Sequence, residues 1–449
     1  MANTSFSNAG PATTANQKSS LYPIIIMGVL FFIFGFVTWL NGTLIPFLQL
    51  ACELTTSQAL LVTFAFYMAY FFLAIPSSYI LKATGFKNGM SLGLFIMAVG
   101  ALVFIPAANS REFGLFLTGL FIQGMGLALL QTATNPYVSV LGPIESAAQR
   151  ISIMGICNKV AGVLSPLVLS ALVLKGAQAI EDQVMVITNP ADKALLLDEL
   201  AQRVIFPYVI MATVLILLAV MIRFSSLPEI NTDEDHVDES GNKVASKTSV
   251  FQYRNLTLGV ICLFLYVGVE VMAGDVIGTY GKSLGMSLDQ TKIFTSYTLV
   301  SMVIGYIIGI IAIPKYIKQE TALMICAIVG IAFTIAAFLT TGFVSVAFIA
   351  LLGLANSLMW PAIFPMAIKG LGKFTKIGSA LLIMGIAGGA ILPQVYAYLE
   401  TTMSPQSAFF WSMLPCYVYI LYYAVSGHKV APVKAIGVKP ALSTTESGI

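Results

Sequence analysis

Hydrophobic and polar residues are arranged along this chain in long blocks rather than in short alternation. Apolar runs of about 20 residues, enough for a helix to cross the hydrocarbon layer, centre near residues 35, 70, 98, 127, 162, 213, 268, 301, 328, 356, 387 and 416. Lipid offers no water to an unpaired backbone, so each run must close its hydrogen bonds within itself as a helix. The two-residue alternation of a membrane barrel is missing. The pattern predicts an all-α integral membrane fold of about twelve transmembrane helices.

Polar intervals divide the chain. Residues 1–20, rich in Ser, Thr, Ala and Asn, lack the basic start and cleavage site of a signal peptide and read as a disordered cytoplasmic tail. Residues 21–223 form a first six-helix bundle and 255–426 a second. Between them, 224–254 reads as a hydrated cytoplasmic linker carrying Glu229, Asp233, Glu234, Asp235, Asp238 and Glu239. Residues 427–449 form a second cytoplasmic tail. A polar loop near 176–202 holds an amphipathic stretch at Ala191–Leu200.

The two halves echo each other. Met154-Gly155-Ile156 in the fifth run matches Met384-Gly385-Ile386 in the eleventh, and Asn135-Pro136 in the fourth parallels Phe364-Pro365 in the tenth. The loop Lys82–Lys87 has a looser counterpart at Pro314–Lys318. A 6+6 repeat implies two bundles around a midplane site, the arrangement that alternating access uses. With an even number of spans both termini share one side. That side and its tails carry twelve Lys and Arg outside the linker, against six on the other. The termini are therefore expected in the cytoplasm.

Composition agrees with a lipid solvent. Soluble domains carry about 25% charged residues; here 10% are charged and 58% hydrophobic. A net charge of +3 gives no reason to expect a nucleic-acid partner. Cys52, Cys157, Cys262, Cys326 and Cys416 have neither metal-ligand nor pairing spacing and read as small packing residues. His236 and His428 lie in polar segments, which leaves no intramembrane histidine for a metal or a proton relay. Walker loops, nucleophile elbows and histidine metal motifs are absent, so the chain does not read as an enzyme and implies no cofactor beyond a coupling ion.

Of the 23 basic and 20 acidic residues, three fall well inside apolar runs: Lys159, Glu270 and Asp275. A charge at the bilayer centre costs about 3 kcal/mol on insertion scales, so such residues are paired or functional. One reading is an ion pair that holds the halves in register. The other is that an acid binds a coupling proton or sodium ion, with Lys159 as competing counter-charge. Glu270 and Asp275 are about 140° apart on a regular helix. Both can face one cavity only if that helix is irregular, which Gly268, Gly274 and Gly278 permit; otherwise one packs against a neighbour.

Neutral polar residues gather in the first half. Gln131 and Asn135 share a face of the fourth run, Thr38 and Asn41 a face of the first, and Asn158 adjoins Lys159. Amides offer donors and an acceptor to sugar hydroxyls, and Trp39 and Trp360 offer faces to a sugar ring. Equally, amides bond between helices and tryptophans pack.

The segment Gln131-Thr-Ala-Thr-Asn135-Pro136-Tyr137-Val-Ser-Val-Leu141-Gly142-Pro143 resembles the fucose–proton symporter family of the major facilitator superfamily, particularly its glucose/galactose transporter branch. Tyr266-Val-Gly268-Val-Glu270-Val, Leu40-Asn41-Gly42-Thr-Leu-Ile-Pro46, Pro361-Ala-Ile-Phe364 and Ile368-Lys-Gly370-Leu-Gly372 extend the resemblance over nearly all the runs. It implies import of a monosaccharide with a proton or sodium ion, with Asn41 and Asn135 as candidate sugar contacts. In the fucose symporter, acids occupy the positions matching Gly42 and Gln131, which are neutral here, so its coupling scheme does not transfer. Aligning Gly35 with Gly268 sets Gly42 against Asp275, which suggests that the carboxylate has moved to the pseudosymmetric site.

The expectation is a monomeric, multi-pass bacterial inner-membrane symporter for a hexose, amino sugar or fucose, in contact with lipid. The competing readings are a transporter of another solute, such as a drug efflux antiporter with a greasier cavity, and a membrane sensor or scaffold. The topology is open to test. A Ser447→Cys variant is expected to resist an impermeant thiol reagent in intact cells and to react in inverted vesicles; labelling from outside overturns the assigned orientation.

Overall fold

The computed structural model describes residues 21–140, 147–227, 249–313, 316–371 and 374–429. The polar N-terminal tail, residues 228–248 of the linker and residues 430–449 lie outside the described residues. Among the described residues, twelve segments are helical, long and apolar enough to cross a membrane. They are α1 Tyr22–Ala51, α2 Thr56–Thr84, α3 Phe86–Ser110, α4 Phe113–Val140, α5 Ala147–Val173 and α6 Ile205–Phe224. The second half follows with α7 Arg254–Gly274 continued by Ile277–Ser283, α8 Leu288–Ala312, α9 Gln319–Leu339, α10 Gly342–Ile368, α11 Ile377–Glu400 and α12 Pro405–Gly427. The protein is thus a multi-pass membrane protein. Large apolar side chains such as Phe72, Phe95, Leu217, Ile311 and Leu339 face outward, as a lipid solvent requires.

The halves repeat the same packing. In the first, α4 packs on α2 and α3, and α1 on α5; in the second, α10 packs on α8 and α9, and α7 on α11. Close approach depends on glycine at matching places. A Cβ at Gly124 of α4 would lie 2.3 Å from the Phe66 carbonyl oxygen of α2, and one at Gly353 of α10 would lie 2.1 Å from the Thr298 carbonyl oxygen of α8. Lipid tails are as apolar as leucine, so such helices gain mainly from close van der Waals contact, which small residues allow. Between the halves, α5 packs on α8 and α2 on α11, again as a symmetric pair.

Several helices are interrupted near the middle, α10 at Ser357–Leu358 and α11 at Gly385–Ala387 among them, and two of the breaks bear on the site. α1 turns between Thr38 and Asn41, and α7 between Gly274 and Ile277. A break frees carbonyl groups that need partners in the absence of water. On α7 they are met by α8: Thr295 Oγ1 donates to the Gly274 oxygen at 2.7 Å and Thr298 Oγ1 to the Ala273 oxygen at 2.6 Å.

The face opposite the termini is tied shut across the halves. The expected amphipathic stretch is a helix, Pro190–Gln202, capped by Asn189, which accepts the Ala191 N–H at 3.1 Å. Lys193 pairs with Glu53, and Arg111 with Asp198 at 3.4 Å, which fasten this helix to its own half. Just before it, Glu181 meets Lys282 of the other half at 2.5 Å, and Gln178 accepts the Leu288 N–H at 2.8 Å. Gln394 Nε2 donates to the Leu60 oxygen at 2.8 Å, again between halves.

If the glycine crossings set the helix spacing, Gly124→Ala and Gly353→Ala should each cost about 1–3 kcal/mol by overpacking. Gly114→Ala, whose Cβ would meet only a Glu112 carboxylate oxygen at 4.0 Å, is the control, expected to stay within about 0.5 kcal/mol of the parent. Thermal unfolding in detergent micelles compares the three.

Candidate functional site

Between the halves, on the terminus side of that closure, lies a cavity. Its wall draws on eight helices, with Phe31 and Phe34 of α1, Gln131 and Asn135 of α4, Tyr306 of α8 and Ile386 of α11 among its residues. Most of the residues singled out in the sequence meet there: Thr38, Trp39, Gln131, Asn135, Asn158, Lys159, Glu270 and Trp360. Gln131 and Asn135 share a wall, as their spacing requires. Asn41 and Asp275 do not join them. Both are buried outside the cavity wall, and the breaks in α1 and α7 fall at or just before them.

The cavity centres on an ion pair. Lys159 Nζ lies 2.7 Å from Glu270 Oε1, with side-chain exposures of 8% and 11%. One partner comes from α5 and the other from α7, so the pair spans the halves. The buried Tyr266 lines the cavity one helical turn before Glu270 on α7. Lys159 Nζ also sits 4.3 Å from the centre of a Trp39 ring, a cation–π contact worth about 2 kcal/mol when desolvated. Trp39 is itself fixed by glycines: a Cβ at Gly274 would lie 2.4 Å from its ring and one at Gly162 2.5 Å.

The amides and aromatics form the rest of the wall. Gln131 Nε2 donates to the Tyr70 hydroxyl at 2.9 Å, and Asn158 Nδ2 to the Phe31 oxygen at 3.4 Å. Trp360 is stacked on Phe364, with centroids 5.9 Å apart and planes at 20°. Thr38 Oγ1 is buried without a partner. Neutral donors and acceptors, ring faces and one charged pair can bind a polar, uncharged solute rich in hydroxyl groups.

Four tyrosines of the wall were not singled out in the sequence: Tyr67, Tyr70, Tyr266 and Tyr306. The available signal was position. Each lies toward the interior of its span, away from the interfacial belts that tyrosine favours, and Tyr67 and Tyr70 are i and i+3 on α2. Below the cavity, Tyr67 donates to Asp275 Oδ2 at 3.0 Å.

Two helical bundles related by an internal repeat, with a polar cavity at their junction that is closed on one face, define a secondary transporter of the alternating-access class. The profile of the Major Facilitator Superfamily matches residues 27–393, and the chain belongs to that family. It is 33% identical over 419 residues to the glucose/galactose transporter of Brucella abortus biovar 1 (strain 9-941), covering 93% of this chain and 96% of that one. It is 30% identical over 386 residues to the L-fucose-proton symporter of Escherichia coli (strain K12), covering 86% and 88%. Among solved structures, the transporter FucP in the outward conformation matches with a TM-score of 0.71 and 29% identity, covering 91% of this chain and 99% of that chain.

Removing one member of a buried pair strands the other charge, which costs about 3–5 kcal/mol, whereas replacing both is far milder. Lys159→Ala is therefore expected to lower the melting temperature strongly, and the double variant Lys159→Met with Glu270→Gln to recover most of the loss. Equal losses in the single and double variants would mean that the pair is not the stabilising element.

Proposed function

We propose that the protein imports a monosaccharide, of the glucose, galactose, amino-sugar or fucose kind, by symport with a cation through alternating access. The carrying observation is the cavity: Gln131, Asn135, Asn158 and Thr38 offer hydroxyl-binding groups, Trp39 and Trp360 bring ring faces, and all lie at the junction of the halves. A drug-efflux cavity would be greasier. The names of the relatives, a glucose/galactose transporter and an L-fucose-proton symporter, support the same substrate class. Asn41, being off the wall, would act in this scheme by shaping the α1 break. The excess of Lys and Arg on the terminus side supports cytoplasmic termini in a bacterial inner membrane. The cavity would then be on the cytoplasmic side, ready to release solute inward.

Import against a gradient needs an ion. One imported monovalent cation gains about 2.3 kcal/mol per 100 mV of membrane potential. At about 1.4 kcal/mol per tenfold ratio this sustains roughly 50-fold accumulation. Lys159, Glu270 and Asp275 are the charges deep enough in low dielectric to make sugar binding depend on the ion.

Uptake of labelled D-glucose, D-galactose and L-fucose into proteoliposomes, with proton or sodium gradients imposed, tests the reading. Accumulation of at least one sugar is expected, and no sugar uptake under any gradient overturns it. Gln131→Ala is expected to weaken binding of the transported sugar by about 1–2 kcal/mol, the scale of a lost buried hydrogen bond. Unchanged affinity in a folded variant removes Gln131 from the site.

A further inference from the structure

We infer that Asp275 carries the coupling proton at a site of its own, sealed from the sugar cavity, and that the Tyr67 hydroxyl is the proton's path into that cavity. The inference rests on the cation-symport reading above and assigns its ion and its carrier. The two acids of α7 stand in opposite situations. Glu270 holds Lys159 at 2.7 Å. Asp275 is 0% exposed, its Oδ1 has no partner, and among the described residues no Lys, Arg or His pairs with it. Of the titratable groups that face it, α2 supplies Tyr67, its own helix Glu270, and α5 Lys159, which Glu270 already binds. α1 presents the Gly42 N–H, and the Thr295 and Thr298 hydroxyls of α8 donate to the neighbouring Gly274 and Ala273 oxygens.

A buried carboxylate without a counter-charge is costly, and a proton removes that cost. A sodium ion is poorly served here. Broken transporter helices offer sodium their unwound carbonyls, but the Ala273 and Gly274 oxygens are already taken by Thr298 and Thr295. A Cβ at Gly42 would lie 2.1 Å from Thr295 Oγ1, so no side-chain ligand fits at that position of α1.

The site is divided between the halves. Asp275 belongs to the second half; Tyr67 and Gly42 belong to the first. Their contacts exist while the face opposite the termini is shut. Opening that face parts them and exposes Asp275 to the compartment beyond, where it takes up a proton. After closure, Tyr67 is the residue, among those described, that both hydrogen-bonds Asp275 and lines the cavity. The Asp275 O–H proton passes to Tyr67 Oη as the tyrosine's own proton passes to a water in the cavity. Tyr67 is neutral before and after, and Asp275 is left as a carboxylate that accepts from Tyr67 and Gly42. That uncompensated charge then favours return to the conformation in which water reaches it. Lys159 and Glu270 stay paired throughout, as part of the sugar wall.

Two measurements on the full chain test this. In proteoliposomes, Asp275→Asn is expected to keep counterflow of whichever of D-glucose, D-galactose and L-fucose the parent exchanges, but to lose proton-driven accumulation and the pH dependence of counterflow. Tyr67→Phe is expected to slow proton-driven uptake by about tenfold or more, the lower range for a positioned proton-transfer group, with a smaller effect on counterflow. Normal proton-driven accumulation by Asp275→Asn overturns the inference, as does parent accumulation that follows sodium and ignores protons. The second measurement needs no sugar: infrared difference spectra of the parent should show a protonated buried carboxyl band that Asp275→Asn lacks. A parent without that band overturns the proton site even if sugar import stands. A parent that has the band but exchanges no sugar keeps the proton site and sinks the sugar reading. Should Asp275→Asn fail to fold, Tyr67→Phe with proton-driven uptake equal to the parent overturns the path.

Discussion

The contact between Lys159 and Glu270 organises the centre of this protein. Each charge costs several kcal/mol to take out of water, and only the other repays it. Because one stands on α5 and the other on α7, the pair makes the approach of the two halves a condition for either residue to be tolerated at that depth. Trp39 follows from it: the indole covers the ammonium and wedges against Gly162 and Gly274, so three helices are set by one cation. The cavity is then what remains between the halves on the terminus side of this cluster.

A second constraint comes from the backbone. In lipid a broken helix must find partners for its freed carbonyls, and the threonines of α8 supply them for α7. The break is therefore a stable feature. It divides the acids of α7 between two environments, one paired and lining the cavity, the other closed off beneath it. The matching glycine crossings at Gly124 and Gly353 bring α4 and α10 close to their neighbours in each half, and both helices join α1, α2, α5, α7, α8 and α11 in lining the cavity.

In the proposed scheme, recognition and coupling are separated in space but linked through one residue. Gln131, Asn135 and Asn158 line the cavity; Asp275 does not. Tyr67 touches both regions, with its hydroxyl on Asp275 and its side chain in the cavity wall. Residues that belong to different halves and meet only in one conformation are a means of making two binding events depend on the same motion.

The sequence by itself determined the twelve spans, the two halves, the amphipathic helix before α6 and the three charges well inside the spans. Apolar length and the cost of charge in lipid are one-dimensional properties that a chain displays without folding. The shared face of Gln131 and Asn135 was also legible, since helical spacing fixes it. Only the tertiary structure decided which acid pairs with Lys159, because a choice between Glu270 and Asp275 depends on where α7 breaks and on which helix stands opposite. It alone placed Asn41 off the cavity wall, just past the turn in α1. It alone brought Tyr67, Tyr70, Tyr266 and Tyr306 into the site, since a tyrosine in a membrane span reads the same whether it faces lipid, a neighbouring helix or a cavity until the surrounding helices are in place.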